Sequence, residues 1–220
     1  MTADSPAPAD SPTADWYFDF ISPFAYLQHE LLLRRAPALR RNYRAVLFAA
    51  LLKHWDSKGP AEIPAKRVAT YRHCQWLGKR HDIELRFPPA HPFNSLPALR
   101  LAVALDCAQS VVTAIFRAIY VDGADFSRRA DWEAVRARLG VADGDDVVAA
   151  QAVKDALRAN TERAIAAGVF GVPTLIVAEQ MFWGLDMTEM ALECAHDPTR
   201  FERGAYRRLT ELPVGVVRKV

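Results

Sequence analysis

Asp15–Ile21 (DWYFDFI) runs into Ser22-Pro23, and Phe24–Arg35 (FAYLQHELLLRR) follows directly. The first segment is short, aromatic-rich and bounded by turn-formers, so it reads as a strand. Serine before proline is a favourable N-cap and first-turn pair, because proline lacks an N–H that the first helical turn would leave unsatisfied anyway. Phe24–Arg35 then has the length and composition of a helix. Asn42–Phe48 (NYRAVLF) reads as a second strand. A β-α-β opening of this kind favours a parallel strand pair with a right-handed crossover.

The middle of the chain is helical by pattern. Pro64–Arg80, Ser95–Tyr120, Asp131–Leu139 and Asp145–Ala167 carry apolar residues at three- and four-residue spacing. Phe87–Asn94 (FPPAHPFN) is rich in proline and reads as a loop. After it the pattern reverts. Gly171-Val172-Pro173 leads into a strand, Thr174–Ala178, and Met181–Trp183 is its expected hairpin partner across Glu179-Gln180. Neither of those two residues favours the positive φ that two-residue hairpin turns need. Asp186–His196 is the expected closing helix. The sum is an α/β core split by an all-helical insertion.

Composition excludes several classes. The chain has 220 residues, 51% hydrophobic and 25% charged, which is ordinary for a globular protein. Lys plus Arg number 28 against 26 acidic residues, so no strong electrostatic footprint for nucleic acid or a membrane is present. Residues 1–14 are rich in Pro and Asp and free of Lys and Arg, unlike a secretory or transit segment; they read as a disordered extension. The most apolar stretch, Leu99–Tyr120, is interrupted by Arg100, Asp106, Gln109 and Arg117 and does not read as a membrane span. Cys74, Cys107 and Cys194 form no C-x-x-C and no zinc spacing. Unpaired cysteines without an export signal point to the cytoplasm. The six histidines include no H-x-x-x-H pair, and no metal is expected.

A few residues can carry chemistry. Ser22 is either a plain N-cap or a hydroxyl that helps hold an anion at a helix start, where free N–H groups and the helix dipole favour negative charge. A hydrolase-type nucleophile fits poorly, because the G-x-S-x-G elbow is missing. Pro173 sits at a strand entry, where a cis bond would turn the Val172 backbone toward the Ser22 end of the sheet. Asp186 in D-M-T-E is either a capping residue or a carboxylate for an ammonium group. Lys66 stands at a helix start, against the dipole. Asn94 ends the proline-rich loop and can cap the next helix. The C-terminal extension, 197–220, carries six Lys/Arg against three Asp/Glu and can form a short helix over Thr199–Leu212.

Asp19-Phe20-Ile21-Ser22-Pro23-Phe24-Ala25-Tyr26 resembles the opening of kappa-class glutathione transferases and bacterial 2-hydroxychromene-2-carboxylate isomerases. The resemblance continues through Arg86-Phe87-Pro88-Pro89, Phe93-Asn94-Ser95-Leu96, Gly168–Thr174 and Phe182-Trp183-Gly184-Leu185-Asp186. Trp183-Gly184 and the Gly59–Ile63 loop lean toward the isomerase branch. The resemblance implies a thioredoxin-like domain over 15–50 and 168–196, with an inserted helical domain over 51–167. Related disulfide oxidases carry C-x-x-C where this chain has Ser22-Pro23-Phe24-Ala25, so a thiol borrowed from glutathione is implied. Ser22 would hydrogen-bond its sulfur, and Val172 before cis-Pro173 would pair with its cysteinyl backbone. Asp186 would hold its ammonium group. Leu185, at a position often polar in the family, would offer main chain. Lys66 would neutralise a carboxylate and Asn94 would orient the bound groups.

The implied activity is a glutathione-dependent cis–trans isomerisation in the breakdown of aromatic compounds, acting on a small aromatic substrate as a homodimer. The alternatives are a kappa-like transferase or peroxidase that consumes glutathione, and a non-catalytic thioredoxin-like binding module.

Overall fold

A computed structural model of the chain describes residues 13–141 and 144–217. The expected disordered extension therefore falls largely outside the described residues. Its last two positions do not: Thr13 and Ala14 already belong to β1 (Thr13–Phe18), two residues before the expected start.

β1 is the strand on which the rest is built. Its side chains alternate between two faces, as a pleated strand requires. Trp16 and Phe18 are fully buried on one face. They stack on each other at 4.7 Å and meet Phe116 at 6.2 and 5.8 Å. Tyr17 points the other way, into a second cluster with Val46, Leu51, Ala164, Val169 and Val172. Residues 19–21 leave the strand and turn into α1 (Pro23–Arg35), whose N-cap is Ser22 as expected.

β2 (Arg40–Ala45) pairs parallel to β1, from Thr13 opposite Arg40 to Phe18 opposite Ala45. It was expected to reach Phe48. It stops early because Phe48 opens a helix, α2 (Phe48–His54), whose first N–H is taken by Asp19 Oδ2 at 3.0 Å. β3 (Thr174–Val177) lies antiparallel to β1 on its other side, and β4 (Gln180–Trp183) is antiparallel to β3. The sheet order is β2-β1-β3-β4.

Helices fill the span between β2 and β3, as the periodicity predicts. α3 (Pro64–Arg80) has the expected bounds. The expected Ser95–Tyr120 helix is instead two, α4 (Leu96–Ala104) and α5 (Gln109–Tyr120). Asp106 adopts φ 55°, with its N–H on Val103 O at 3.1 Å and the Cys107 N–H on Ala102 O at 2.7 Å. That hydrogen-bond pair is a Schellman stop, which usually announces itself by glycine and here uses aspartate. α6 (Arg129–Arg138) follows. The expected Asp145–Ala167 helix also divides, into α7 (Gly144–Ala149) and α8 (Gln151–Ala166), because Ala150 is extended at φ −56° and ψ 134°.

α9 (Thr188–His196) closes the core and begins two residues later than expected. The C-terminal segment makes two short 3-10 turns, Arg200–Glu202 and Arg207–Glu211, rather than one helix over Thr199–Leu212. Among the described residues, no helix is long and apolar enough to cross a membrane.

The β3–β4 turn is Ala178-Glu179, one residue earlier than the expected pair, with φ of 46° and 65°. Two successive positive φ values suit the twist of a two-residue hairpin, but both side chains resist that conformation. Replacing Ala178 with Asn and Glu179 with Gly together should therefore stabilise the fold by roughly 1 kcal/mol. The expected readout is a higher urea midpoint at unchanged m value; an unchanged or lower midpoint would show that this turn stores no strain.

Candidate active site

Ser22 closes the gap between β1 and α1. It is buried, its φ of −90° and ψ of 111° are those of an N-cap, and its Oγ accepts from the Ala25 N–H at 3.2 Å. The same hydroxyl donates to Val172 O at 3.4 Å. The Val172–Pro173 peptide is cis, and it brings the expected pair of groups face to face. Pro173 O in turn accepts from the Gly184 N–H at 2.9 Å. Gly184, at φ 93°, leads into Leu185 and Asp186.

Ser22, Val172, Pro173, Leu185 and Asp186 thus lie at one end of the sheet, beyond the ends of β1, β3 and β4. The Asp186 carboxylate is exposed and folds back over Gly184, so closely that a Cβ there would come within 2.5 Å of Oδ1. Asp186 does not cap α9; the N-cap position is Met187, without a side-chain bond. The capping-box reading of D-M-T-E therefore fails, and the carboxylate is left for another use.

Asn94 is exposed and its Oδ1 accepts from the Leu96 N–H, two residues on, at 3.1 Å; the N-cap of α4 is Ser95 instead, one residue later than expected, and its side chain makes no capping bond. Lys66 is exposed in the first turn of α3 and takes no part in the hydrogen bonds that join Ser22, Val172 and Gly184.

Three groups that sequence reasoning missed hold Ser22 in place. Asp19 is fully buried, accepting from the Ile21 N–H at 3.0 Å and the Phe48 N–H at 3.0 Å. Burial raises its pKa, with the contact to Ser95 and these backbone donors opposing. Tyr120 Oη donates to Ile21 O at 2.9 Å, and His91 Nε2 lies 2.6 Å from the same oxygen. A carbonyl only accepts, so Nε2 is the protonated nitrogen and Nδ1 faces Tyr71 Oη at 2.7 Å. Burial lowers the His91 pKa, and the Ile21 contact partly opposes the shift. Asp19 stood in the quoted motif but fell inside the expected strand Asp15–Ile21, with no role of its own. His91 carried no pairing signal, and Tyr120 was only the last residue of the expected helix Ser95–Tyr120.

The protein's own thiols lie elsewhere. Cys74, Cys107 and Cys194 are free and buried. Burial pushes Cys74 up to about 12 and Cys107 up to about 11, the range of inert thiols. The polar groups at this end of the sheet are instead the donors of a helix start, a serine hydroxyl and the Val172 N–H, with the Val172 C=O and an exposed carboxylate as acceptors. Among the described residues the Val172 N–H has no acceptor. Such a set can pair with an extended peptide bearing an anionic centre and an ammonium group.

Residues 13–193 match the model of the DSBA-like thioredoxin domain. The chain belongs to that family. Within it, the chain is 30% identical over 183 residues to a 2-hydroxychromene-2-carboxylate isomerase of Sphingobium xenophagum, covering 79% of this chain and 93% of that one. A protein of Caenorhabditis elegans named glutathione S-transferase kappa 2 is 24% identical over 180 residues, covering 74% and 80%. The solved structure of a 2-hydroxychromene-2-carboxylate isomerase superposes with a TM-score of 0.77 at 25% identity, over 86% of this chain and 96% of that one. The fold is thioredoxin-like, and these relatives are named as enzymes.

The raised pKa of Asp19 makes a pH prediction. A carboxyl whose folded pKa exceeds its unfolded value favours the fold fully below the unfolded value, and loses that contribution as pH rises through the folded one. Wild type should therefore lose stability relative to Asp19→Asn across the window from the ordinary carboxylate pKa upward. Urea unfolding of both proteins over that range checks it, and a pH-independent difference would refute the raised pKa.

Proposed function

We propose that the chain is a glutathione-dependent cis–trans isomerase that interconverts 2-hydroxychromene-2-carboxylate and trans-o-hydroxybenzylidenepyruvate. The observation that carries this reading is Ser22 at the start of α1, 3.4 Å from Val172 O, in a site without a cysteine. Where a dithiol family member would place its own sulfur, this chain offers a hydroxyl, helix N–H groups and a peptide-pairing edge.

Bound glutathione supplies the nucleophile, a thiolate whose reversible addition to the unsaturated chain of the substrate lets the former double bond rotate. The protein's part is binding and electrostatics. Ser22 Oγ exchanges its long contact with Val172 O for a hydrogen bond to the sulfur, a stronger acceptor when ionised. The positive end of α1 favours the same negative charge. A thiol of ordinary pKa, about 8.5, is mostly protonated at neutral pH, so a drop of about two units makes the thiolate dominant. Val172 N–H and C=O pair with the cysteinyl backbone, and Pro173, lacking an N–H, keeps that edge short. Asp186 takes the ammonium group, Leu185 offers main chain, Lys66 neutralises a carboxylate, and Asn94 orients the groups near the sulfur.

The three free, buried cysteines suit a reducing cytoplasm. A homodimer and a role in aromatic-compound breakdown belong to the same reading and rest on the family alone. The kappa-named relative supports a second reading, a transferase that consumes glutathione.

Purified protein supplied with the chromene-carboxylate and glutathione should turn over many times while the glutathione concentration stays constant. Ser22→Ala should lower kcat/KM by about a hundredfold or more, as loss of a donor to a developing anion does. Depletion of glutathione in step with turnover would replace the isomerase by the transferase reading. Full activity in the variant would remove Ser22 from the chemistry.

A further inference from the structure

Gln28 is completely buried on α1, beneath the Gly184–Asp186 loop, and the chemistry above gives it no role. Its amide is fully engaged. Trp16 Nε1 donates to Oε1 at 2.7 Å, and Nε2 donates to Gly184 O at 3.0 Å and to Thr188 Oγ1 at 2.9 Å. An indole N–H can only donate, so Oε1 must face Trp16 and both N–H bonds must face the loop. Thr188, with Gln28 as its donor, spends its own proton on Leu185 O at 2.6 Å. The Thr188 N–H reaches the same oxygen at 3.2 Å.

Two consecutive carbonyls, Gly184 and Leu185, are thereby held toward the interior. The peptides that follow them are trans, and in a trans peptide the N–H points opposite to the C=O. The N–H groups of Leu185 and Asp186 therefore point outward, to the side where the Asp186 carboxylate is exposed. Among the described residues neither N–H has an acceptor. Successive N–H groups aimed at one spot make an anion-binding concavity.

We propose that Gln28 is a positioning residue for ligand recognition: through Gly184 and Thr188 it aims the Leu185 and Asp186 N–H groups at the γ-glutamyl carboxylate of glutathione. The Asp186 side chain beside them takes the ammonium of the same amino-acid group. The loop then reads both charges of a zwitterion, and a buried amide on the thiolate-holding helix sets its orientation. This inference rests on the glutathione reading and adds to it how the far end of the tripeptide is chosen.

The test compares two thiols, glutathione and cysteinylglycine, which lacks the γ-glutamyl group. Each is titrated calorimetrically into wild type, Gln28→Met, Thr188→Val and Thr188→Ser. Gln28→Met and Thr188→Val should each lose affinity for glutathione by about tenfold or more, the size of one or two hydrogen bonds. Cysteinylglycine affinity should be unchanged, and Thr188→Ser, which keeps the hydroxyl, should behave as wild type. The pH midpoint of thiolate absorbance for bound glutathione should stay put in all variants, because Ser22 and the start of α1 are untouched.

Equal losses for both thiols, or unchanged glutathione affinity in the folded variants, would overturn the inference. If Gln28→Met does not fold, Thr188→Val carries the same test with a near-isosteric change. If wild type binds neither thiol, the glutathione reading itself falls. If it binds both equally, that reading stands and the γ-glutamyl site is refuted.

Discussion

The Ile21 carbonyl, one residue before Ser22, accepts two hydrogen bonds from distant parts of the chain. His91 reaches it from 70 positions away and Tyr120 from 99. The Ile21 N–H is meanwhile held by Asp19. A buried carbonyl left unpaired costs about 1–3 kcal/mol, so each of these contacts resists any shift of the turn. The handover from β1 to α1 is therefore fixed through the peptides on both sides of Ile21. Ser22, the start of α1 and the contact to Val172 all inherit their positions from it.

Asp19 ties this turn to the next element as well. One carboxylate oxygen closes the Ile21 turn and the other starts α2, so the ends of β1 and β2 are set by a single side chain. Burial opposes its charge, and the N–H donors and the Ser95 contact offset part of that cost. Around this polar knot the packing is apolar on both faces of β1, with Trp16 and Phe18 on one side and Tyr17 on the other. A rigid edge built this way suits a site whose work is to hold a ligand in one geometry.

At this end of the sheet the groups on offer depend on which residue stands at the start of α1. The chain places a hydroxyl at the helix start and keeps its own sulfurs buried, with their pKa values pushed up. On the proposed reading, thiol chemistry arrives with the ligand, and the protein contributes donors, a dipole and a peptide-pairing edge. The same helix then does two tasks. Its first turn serves the sulfur, and Gln28, further along, serves the loop that would hold the other end of the tripeptide.

Local patterns made much of this legible in the sequence. The Asp15–Phe18 part of the DWYFDFI strand, the Ser22-Pro23 helix start, the bounds of α3 and the lack of a cysteine at Ser22–Ala25 depend on neighbours within a turn or two. Where the reading missed, a residue acted against its usual habit or answered to a distant one. Asp106 ended α4 in a role glycine normally takes, Ala178 and Glu179 accepted positive φ, and Phe48 left the strand because Asp19 capped it. What only the tertiary structure decided is which groups meet: Ser22 with Val172 across 150 positions, and Gln28 with Gly184 across 156. Propensity and capping are short-range and written in adjacent residues. Contacts between remote side chains follow from how the layers pack around β1, and no local pattern encodes that.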